Sequence, residues 1–370
     1  METNKVDINN RNEYRITIAM VLPSLKIGGG QKIAIDIANS LDSRRFNVIF
    51  IIIEEEANTS FEKNICEKFD VAFLRKEKGF SIKTIFRLMK VLRRQKVDVV
   101  HVHLRALIYT SLATLFTKVN TRIYTVHSIA QHDGGGYLRF LYKVAFKYWG
   151  YIPVAICDYV KDTMIDYYRL SSDKVPLIYN GIDLKRYPEK QRIESSSNRI
   201  NFISVASFWG VKNHELLLKA FASASKQCPD IYLTLLGDGP LQQGMIQLTK
   251  NLGIHDRVSF RGNVTNVSEH LRMSDVFIMS SDFEGFPLSV IEAMATGLPI
   301  ITTAAGGVID LVKHEYNGLI VPTRDIESLS NAMIEITINE NTRKNFAANS
   351  KLLSEQYNIL DMVEAYTKLY

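Results

Sequence analysis

Residues 280–299 read Ser280-Ser281-Asp282-Phe283-Glu284-Gly285-Phe286-Pro287-Leu288-Ser289-Val290-Ile291-Glu292-Ala293-Met294-Ala295-Thr296-Gly297-Leu298-Pro299. The run just before it, Val276-Phe277-Ile278-Met279, is wholly apolar and predicts a buried strand. Small, polar and glycine residues over 280–287 predict a turn, and Pro287 suits a helix start, where its missing N–H costs nothing. From Leu288 the apolar residues Leu288, Ile291, Met294 and Ala295 recur at helical spacing until Gly297-Leu298-Pro299 stops them. The order is strand, loop, helix, strand, with the loop at the carboxyl end of a strand, where an open α/β sheet binds its ligand. Glu284 stands in the loop and Glu292 inside the helix. The N–H groups of Phe286, Leu288 and Ser289, at the positive end of the helix dipole, would form an anion site. A diphosphate fits it, with one Glu for a sugar and the other for a ribose. On residue type alone a plainer reading stands beside this: Glu284 caps the helix and Glu292 is solvated.

The wording around the two carboxylates resembles the E-x7-E signature of retaining nucleotide-sugar glycosyltransferases, glycosyltransferase family 4, with its E-G-F-P opening and E-A-M-A-x-G-x-P continuation. The resemblance implies that Glu284 contacts the donor sugar and Glu292 the ribose. It also implies that Gly285, Phe286, Pro287, Leu288 and Ser289 line the donor site.

The chain has 370 residues, enough for two domains, with 46% hydrophobic and 23% charged residues, an ordinary globular balance. No apolar run reaches transmembrane length, and the polar start of the chain has no signal-peptide core. Cys66, Cys157 and Cys228 are odd in number and far apart, which excludes a disulfide framework and a zinc spacing and predicts a reduced, cytoplasmic setting. The net charge of +6 is unevenly shared. Residues 1–180 hold 27 Lys and Arg against 18 Asp and Glu, or +9, and residues 181–370 hold 18 against 21, or −3. A basic first half predicts an anionic surface as partner, a membrane or a lipid diphosphate, and no nucleic-acid motif accompanies it.

Taken in order, residues 16–22 predict a strand, followed by Gly28-Gly29-Gly30 and a helix from about Gln31. Glycines there let backbone N–H groups approach a phosphate, though from residue type alone a plain tight turn is the better reading. The family carries a G-G-[AG]-[EQ] stretch at this place, beneath donor and acceptor, and so implies donor contacts for Gly29 and Gly30. Strands are expected at 48–53 and 71–74. Residues 82–95 predict an amphipathic helix with Lys83, Arg87, Lys90 and Arg94 on one face, either a solvated basic stripe or a membrane-surface patch. His101 and His103 share a strand face over 97–103. A metal reading of this pair is set aside because no carboxylate or cysteine follows at ligand spacing. His127 follows a strand at 123–126; the family's T-V-H context implies contact with the donor sugar, near the reacting carbon. Residues 137–152, rich in aromatic and basic residues, predict a buried helix or an interfacial edge, with a strand at 154–157.

Asn180-Gly181-Ile182-Asp183 matches the family's N-G-[IV]-D, and the polar run 189–199 predicts a linker. A strand at 200–205 leads to Lys212, expected at a helix start, where its charge suits a diphosphate. The family usually writes G-R-x4-K-[GN] here. Lys212 fits the Lys, but Ser207 stands at the Arg, so one bidentate phosphate grip is missing. Gly262, Asn263 and Val264 follow a strand at 258–260, where the family's backbone lines the base pocket.

The expected fold is α/β, GT-B: two Rossmann-like, doubly wound parallel-sheet domains facing across a cleft, at 1–188 and 200–354, with a final helix over 355–370 crossing back to the first. The resemblance implies a retaining, hexosyltransferase-type enzyme. It would move a sugar from a nucleotide diphosphate donor, such as a UDP-sugar, to a glycan or lipid-linked glycan in cell-envelope polysaccharide synthesis. No cofactor and no metal site are expected, since no D-x-D pair occupies a metal-site position. The expected setting is the cytoplasm, with the inner membrane face as a peripheral contact. Two alternatives remain at this stage, a nucleotide-sugar epimerase of GT-B type and a non-catalytic GT-B binding protein.

Overall fold

The computed structural model describes residues 14–26, 28–56, 59–136, 138–189 and 199–370. The polar N-terminus before Tyr14, and all but the two ends of the linker expected at 189–199, lie outside the described residues.

Among the described residues, twelve strands form two six-stranded sheets. The first contains β1 (Ile16–Leu22), β2 (Phe46–Ile52), β3 (Asp70–Phe73), β4 (Val99–His103), β5 (Thr121–Val126) and β6 (Tyr151–Ala155), in the order β3-β2-β1-β4-β5-β6. The second contains β7 (Ile200–Val205), β8 (Ile231–Leu236), β9 (Val258–Gly262), β10 (Val276–Met279), β11 (Ile300–Thr303) and β12 (Gly318–Val321), in the order β12-β11-β10-β7-β8-β9. Parallel strands covered on both faces need continuous apolar runs, and β10 shows it: all four of its residues are buried. The two doubly wound sheets expected from the chain's β–α alternation are present, and the architecture is GT-B.

The chain packs as two compact units. One comprises residues up to Tyr124 with Leu141–Ile152 and Leu369–Tyr370; the other comprises Thr125–Phe140 and Pro153–Lys368. In the second, Phe202, Leu233, Ile278 and Ile301 from the strands pack with Leu217, Phe221, Leu329 and Met333 from the helices beside them. Each such side chain, fully removed from water, contributes about 2–3 kcal/mol.

The strand order locates the site. Within the second sheet the chain runs outward through β7, β8 and β9, then returns to the other side of β7 with β10. The loops leaving β7 and β10 therefore lie at the reversal of the strand order, the place where an open α/β sheet binds its ligand. Lys212 follows β7, and Glu284 follows β10.

Three of the boundaries that differ from the expectation have a local cause. The first helix spans Gly29–Ser40, with Gly28 as its N-cap, because Gly29 and Gly30 join its first turn. The aromatic segment is a helix, Leu138–Tyr148, but β6 already begins at Tyr151. Gly150, at φ +69°, reverses the chain there, and because aromatic and apolar residues run on through both elements, periodicity hid the break. Pro153 is tolerated in β6 because β6 is an edge strand. Lys212 does not open the next α-helix. It ends a 3-10 turn, Gly210–Lys212, and Asn213 caps the helix His214–Gln227.

Candidate active site

Two loops of the second sheet are fastened to one another. Asn213 adopts a left-handed conformation, φ +47°, and its Oδ1 accepts from Leu216 N at 3.2 Å, capping the helix. Its Nδ2 donates to Asp282 Oδ1 at 2.8 Å. Asp282 N donates to Val211 O at 2.8 Å, and Ser280 Oγ donates to the carbonyls of Lys212 and Asn213 at 3.1 and 3.0 Å. Arg324, after β12, places Nε and Nη2 3.0 and 2.8 Å from Asp282 Oδ2. Burial pushes the Asp282 carboxyl up, but the hydrogen bonds from Arg324 and Asn213 and the guanidinium charge together hold it below the usual carboxylate value.

This fastening aligns Lys212 with Glu284. The ammonium Nζ lies 2.7 Å from both carboxylate oxygens, and Ser281 Oγ donates to Glu284 Oε1 at 2.6 Å. The pair is sheltered, with side chains 23% and 8% exposed. Thr303 Oγ1 in turn donates to Ser281 O at 2.5 Å. The backbone of Glu284 is held on both sides: its N–H donates to Ala305 O and its carbonyl accepts from Gly307 N, each at 3.1 Å.

Close approach explains the glycines here. A Cβ on Gly285 would stand 2.4 Å from His127 O, and one on Gly307 would stand 1.8 Å from Gly285 O. Gly306 has φ +66° as well. Cys157 Sγ donates to Gly285 O at 3.3 Å, and burial pushes its thiol up to about 12, so it stays protonated at neutral pH. His127 thus borders the Glu284–Gly285 turn through its carbonyl. Part of its surface reaches solvent, but protein packed around the ring disfavours the imidazolium and lowers its pKa to about 4. The ring is neutral at pH 7.

The helix Leu288–Ala295 has Pro287 as N-cap, which offers no side-chain cap to the first-turn N–H groups. Neither plain reading of the carboxylates survives. Glu284 binds Lys212 and Ser281 rather than capping the helix, and Glu292 is buried at 5% exposure, not solvated. Phe286 packs its ring 5.6 Å from those of Tyr179 and Tyr357. Ser207 is exposed on the Lys212 loop, its carbonyl accepting from Trp209 N. Gly262, at φ +65°, ends β9 and accepts from Gly237 N at 2.8 Å, with Asn263 exposed and Val264 half-buried after it.

Lys212, Glu284 and the His127 carbonyl are therefore neighbours within one unit, with Glu292 on the helix that follows; Gly29 and Gly30 belong to the other unit. His101 and His103 stack at 4.2 Å, and His101 Nδ1 lies 2.8 Å from the Tyr370 hydroxyl. No cluster of three metal-ligating side chains occurs among the described residues.

Sequence reading missed Ser281, Asn213, Asp282, Arg324 and Cys157. An S-x-x-E spacing and an Asn before a helix were available signals for the first two. Nothing local links Asp282 to Arg324, 42 residues away.

Comparison with known proteins bears on this geometry. A model described as Glycosyltransferase Family 4 matches residues 27–186, and one described as Glycosyl transferases group 1 matches residues 186–353. An Escherichia coli UDP-Gal:alpha-D-GlcNAc-diphosphoundecaprenol alpha-1,3-galactosyltransferase is 27% identical over 87% of this chain and 88% of its own length. A Campylobacter jejuni alpha-1,4-N-acetyl-D-galactosaminyltransferase, named for a diNAcBac-PP-undecaprenol-linked acceptor, is 27% identical over 95% of this chain and 97% of its own. The solved structure of Anabaena HepE in complex with UDP-glucose superposes with a TM-score of 0.81 at 20% identity, covering 96% of this chain and 99% of that one.

Proposed function

The chain belongs to glycosyltransferase family 4, and on that premise we propose that it transfers a sugar from a UDP-sugar to a lipid-linked glycan in cell-envelope polysaccharide synthesis, with retention at the anomeric carbon. The names of the E. coli and C. jejuni relatives support the acceptor class, and the HepE complex supports the donor class. The observation that carries the reading is the sheltered Lys212–Glu284 pair at the carboxyl ends of β7 and β10.

In this reading Lys212 and the N–H groups of Leu288 and Ser289 stabilise the charge that develops on the departing diphosphate. Glu284 accepts hydrogen bonds from the sugar and Glu292 from the ribose, while the backbone at Gly262, Asn263 and Val264 holds the base. His127, neutral at pH 7, hydrogen-bonds a sugar hydroxyl near the reacting carbon without adding a cation beside Lys212. The bond from the anomeric carbon to the phosphate oxygen breaks, and the acceptor oxygen bonds to the same face. The acceptor's proton passes to the leaving phosphate, so no protein nucleophile and no metal are required.

The test is a panel of UDP-sugars with an undecaprenyl-diphosphate glycan, scored for released nucleotide and for the anomeric configuration of the product by NMR. Glu284→Gln and Lys212→Ala should each lower turnover about a hundredfold or more. Near-native rates in both variants overturn the site assignment. An altered sugar nucleotide formed without acceptor identifies an epimerase, and binding without turnover identifies a non-catalytic protein.

The reading extends to a peripheral place at the inner membrane face. Among the described residues no helix is long and apolar enough to cross a membrane. The helix Ile82–Arg94 carries Lys83, Arg87, Lys90 and Arg94 exposed, with Phe86 64% exposed among them, and no acidic residue. Each such basic residue contributes about 1 kcal/mol at an anionic surface. Sedimentation with anionic but not neutral liposomes at low salt is expected, and equal recovery in both supernatants refutes the contact.

A further inference from the structure

We propose that Glu284 occupies Lys212 as an internal stand-in for the donor's diphosphate, so that the nucleoside diphosphate must compete with it for the ammonium. The inference rests on the reading of Lys212 as the diphosphate's ligand.

Four observations carry it. The ammonium is equidistant, at 2.7 Å, from the two carboxylate oxygens, so two of its three N–H directions are spent within the protein. The pair is screened from solvent, where attraction and repulsion between charges act more strongly than at the surface. Across residues 207–213 Lys212 is the only basic residue, so this loop offers a phosphate no second cation. Glu284 itself is anchored independently of Lys212, by Ser281 Oγ and by its backbone bonds to residues 305 and 307, so the carboxylate keeps its place when the ammonium turns away.

The consequence is a charge-balanced site before the donor arrives. When a sugar nucleotide binds, Lys212 turns to the diphosphate, and the carboxylate oxygens it leaves accept the sugar's hydroxyl donors in exchange. After transfer the nucleoside diphosphate has no sugar to offer, and Glu284 reclaims the ammonium. The competition thus weakens product binding selectively and favours its release, while the intact donor is compensated.

Titration calorimetry with UDP and with uridine tests this on the whole chain, using wild type, Glu284→Gln, Lys212→Ala and the double variant. Gln keeps an oxygen for Ser281 and removes the charge. Glu284→Gln should bind UDP about tenfold more tightly than wild type. Uridine affinity should be unchanged, which also reports an intact fold. In the Lys212→Ala background the gain should vanish. If Lys212→Ala weakens UDP binding while Glu284→Gln leaves it unchanged or weaker, the competition is refuted and the site assignment stands. If Lys212→Ala has no effect on UDP, the assignment of Lys212 to the diphosphate fails instead.

Discussion

A Cβ built on Gly29 meets nothing within 4 Å, whereas one built on Gly307 stands 1.8 Å from Gly285 O and 2.7 Å from Cys157 Sγ. Gly29 opens the helix that follows β1, and Gly307 caps the short helix that follows β11. Beside Glu284 the space a side chain would fill is taken by the protein's own backbone, with Gly285 against His127 O and Gly306 against Glu284 O. At the start of the helix Gly29–Ser40 the space is open and Gly29 has no left-handed φ to justify it. One set of glycines is required by the fold. The other is required, in the functional reading, by a ligand.

Substitution separates the two cases. Gly307→Ala carries the largest expected effect, a loss of about 4 kcal/mol or more in urea unfolding, because the nearest atom, Gly285 O, is backbone and cannot swing aside. An unchanged unfolding midpoint would show that the turn gives way. Gly285→Ala, at 2.4 Å from a single carbonyl, should cost less, about 2–3 kcal/mol, and should also lower turnover by moving Glu284. Gly29→Ala should do the reverse. Its stability should stay level or rise by up to about 1 kcal/mol, since Ala favours a helix, while turnover falls about tenfold because the methyl group intrudes on donor or acceptor. Full activity in that variant would make the 28–30 turn an ordinary one.

Acid should act first on the packed side of the comparison. His127 and His214 both have pKa values lowered to about 4 by burial, against about 6.5 in an unfolded chain. The unfolded state therefore binds more protons between these values, and stability is full above pH 6.5 and falls as pH drops toward 4. Turnover should show no ionisation of His127 between pH 6 and 8, and a step there removed by His127→Gln would contradict the neutral ring. The smallest effect concerns the open side. Ser207→Arg should tighten UDP binding a few-fold by restoring a two-pronged phosphate contact, and unchanged calorimetric affinity would mean that Ser207, although exposed, faces away from the diphosphate.

The readability of the molecule divides along similar lines. β10, the helix Leu288–Ala295 and the two carboxylates were legible because apolar period and turn residues are local signals. So was the basic face of Ile82–Arg94, whose four named residues are all exposed. The start of β6 was not, because aromatic and apolar residues run on through both the helix and the strand and one glycine made the break.

What the amino-acid order determined by itself was the alternation of strands and helices, the places where loops leave strand ends, and the residue types in those loops. Each depends on contacts within a few residues along the chain. What tertiary structure alone decided was the partner of each charge. Lys212 meets Glu284 across 72 residues, Asp282 meets Arg324 across 42, and Cys157 meets Gly285 across 128. Lys212 meets Glu284 because β10 returns beside β7 and the loops at their carboxyl ends are brought within hydrogen-bond reach. A side chain's partner depends on the strand order of the sheet, which no local stretch of sequence records.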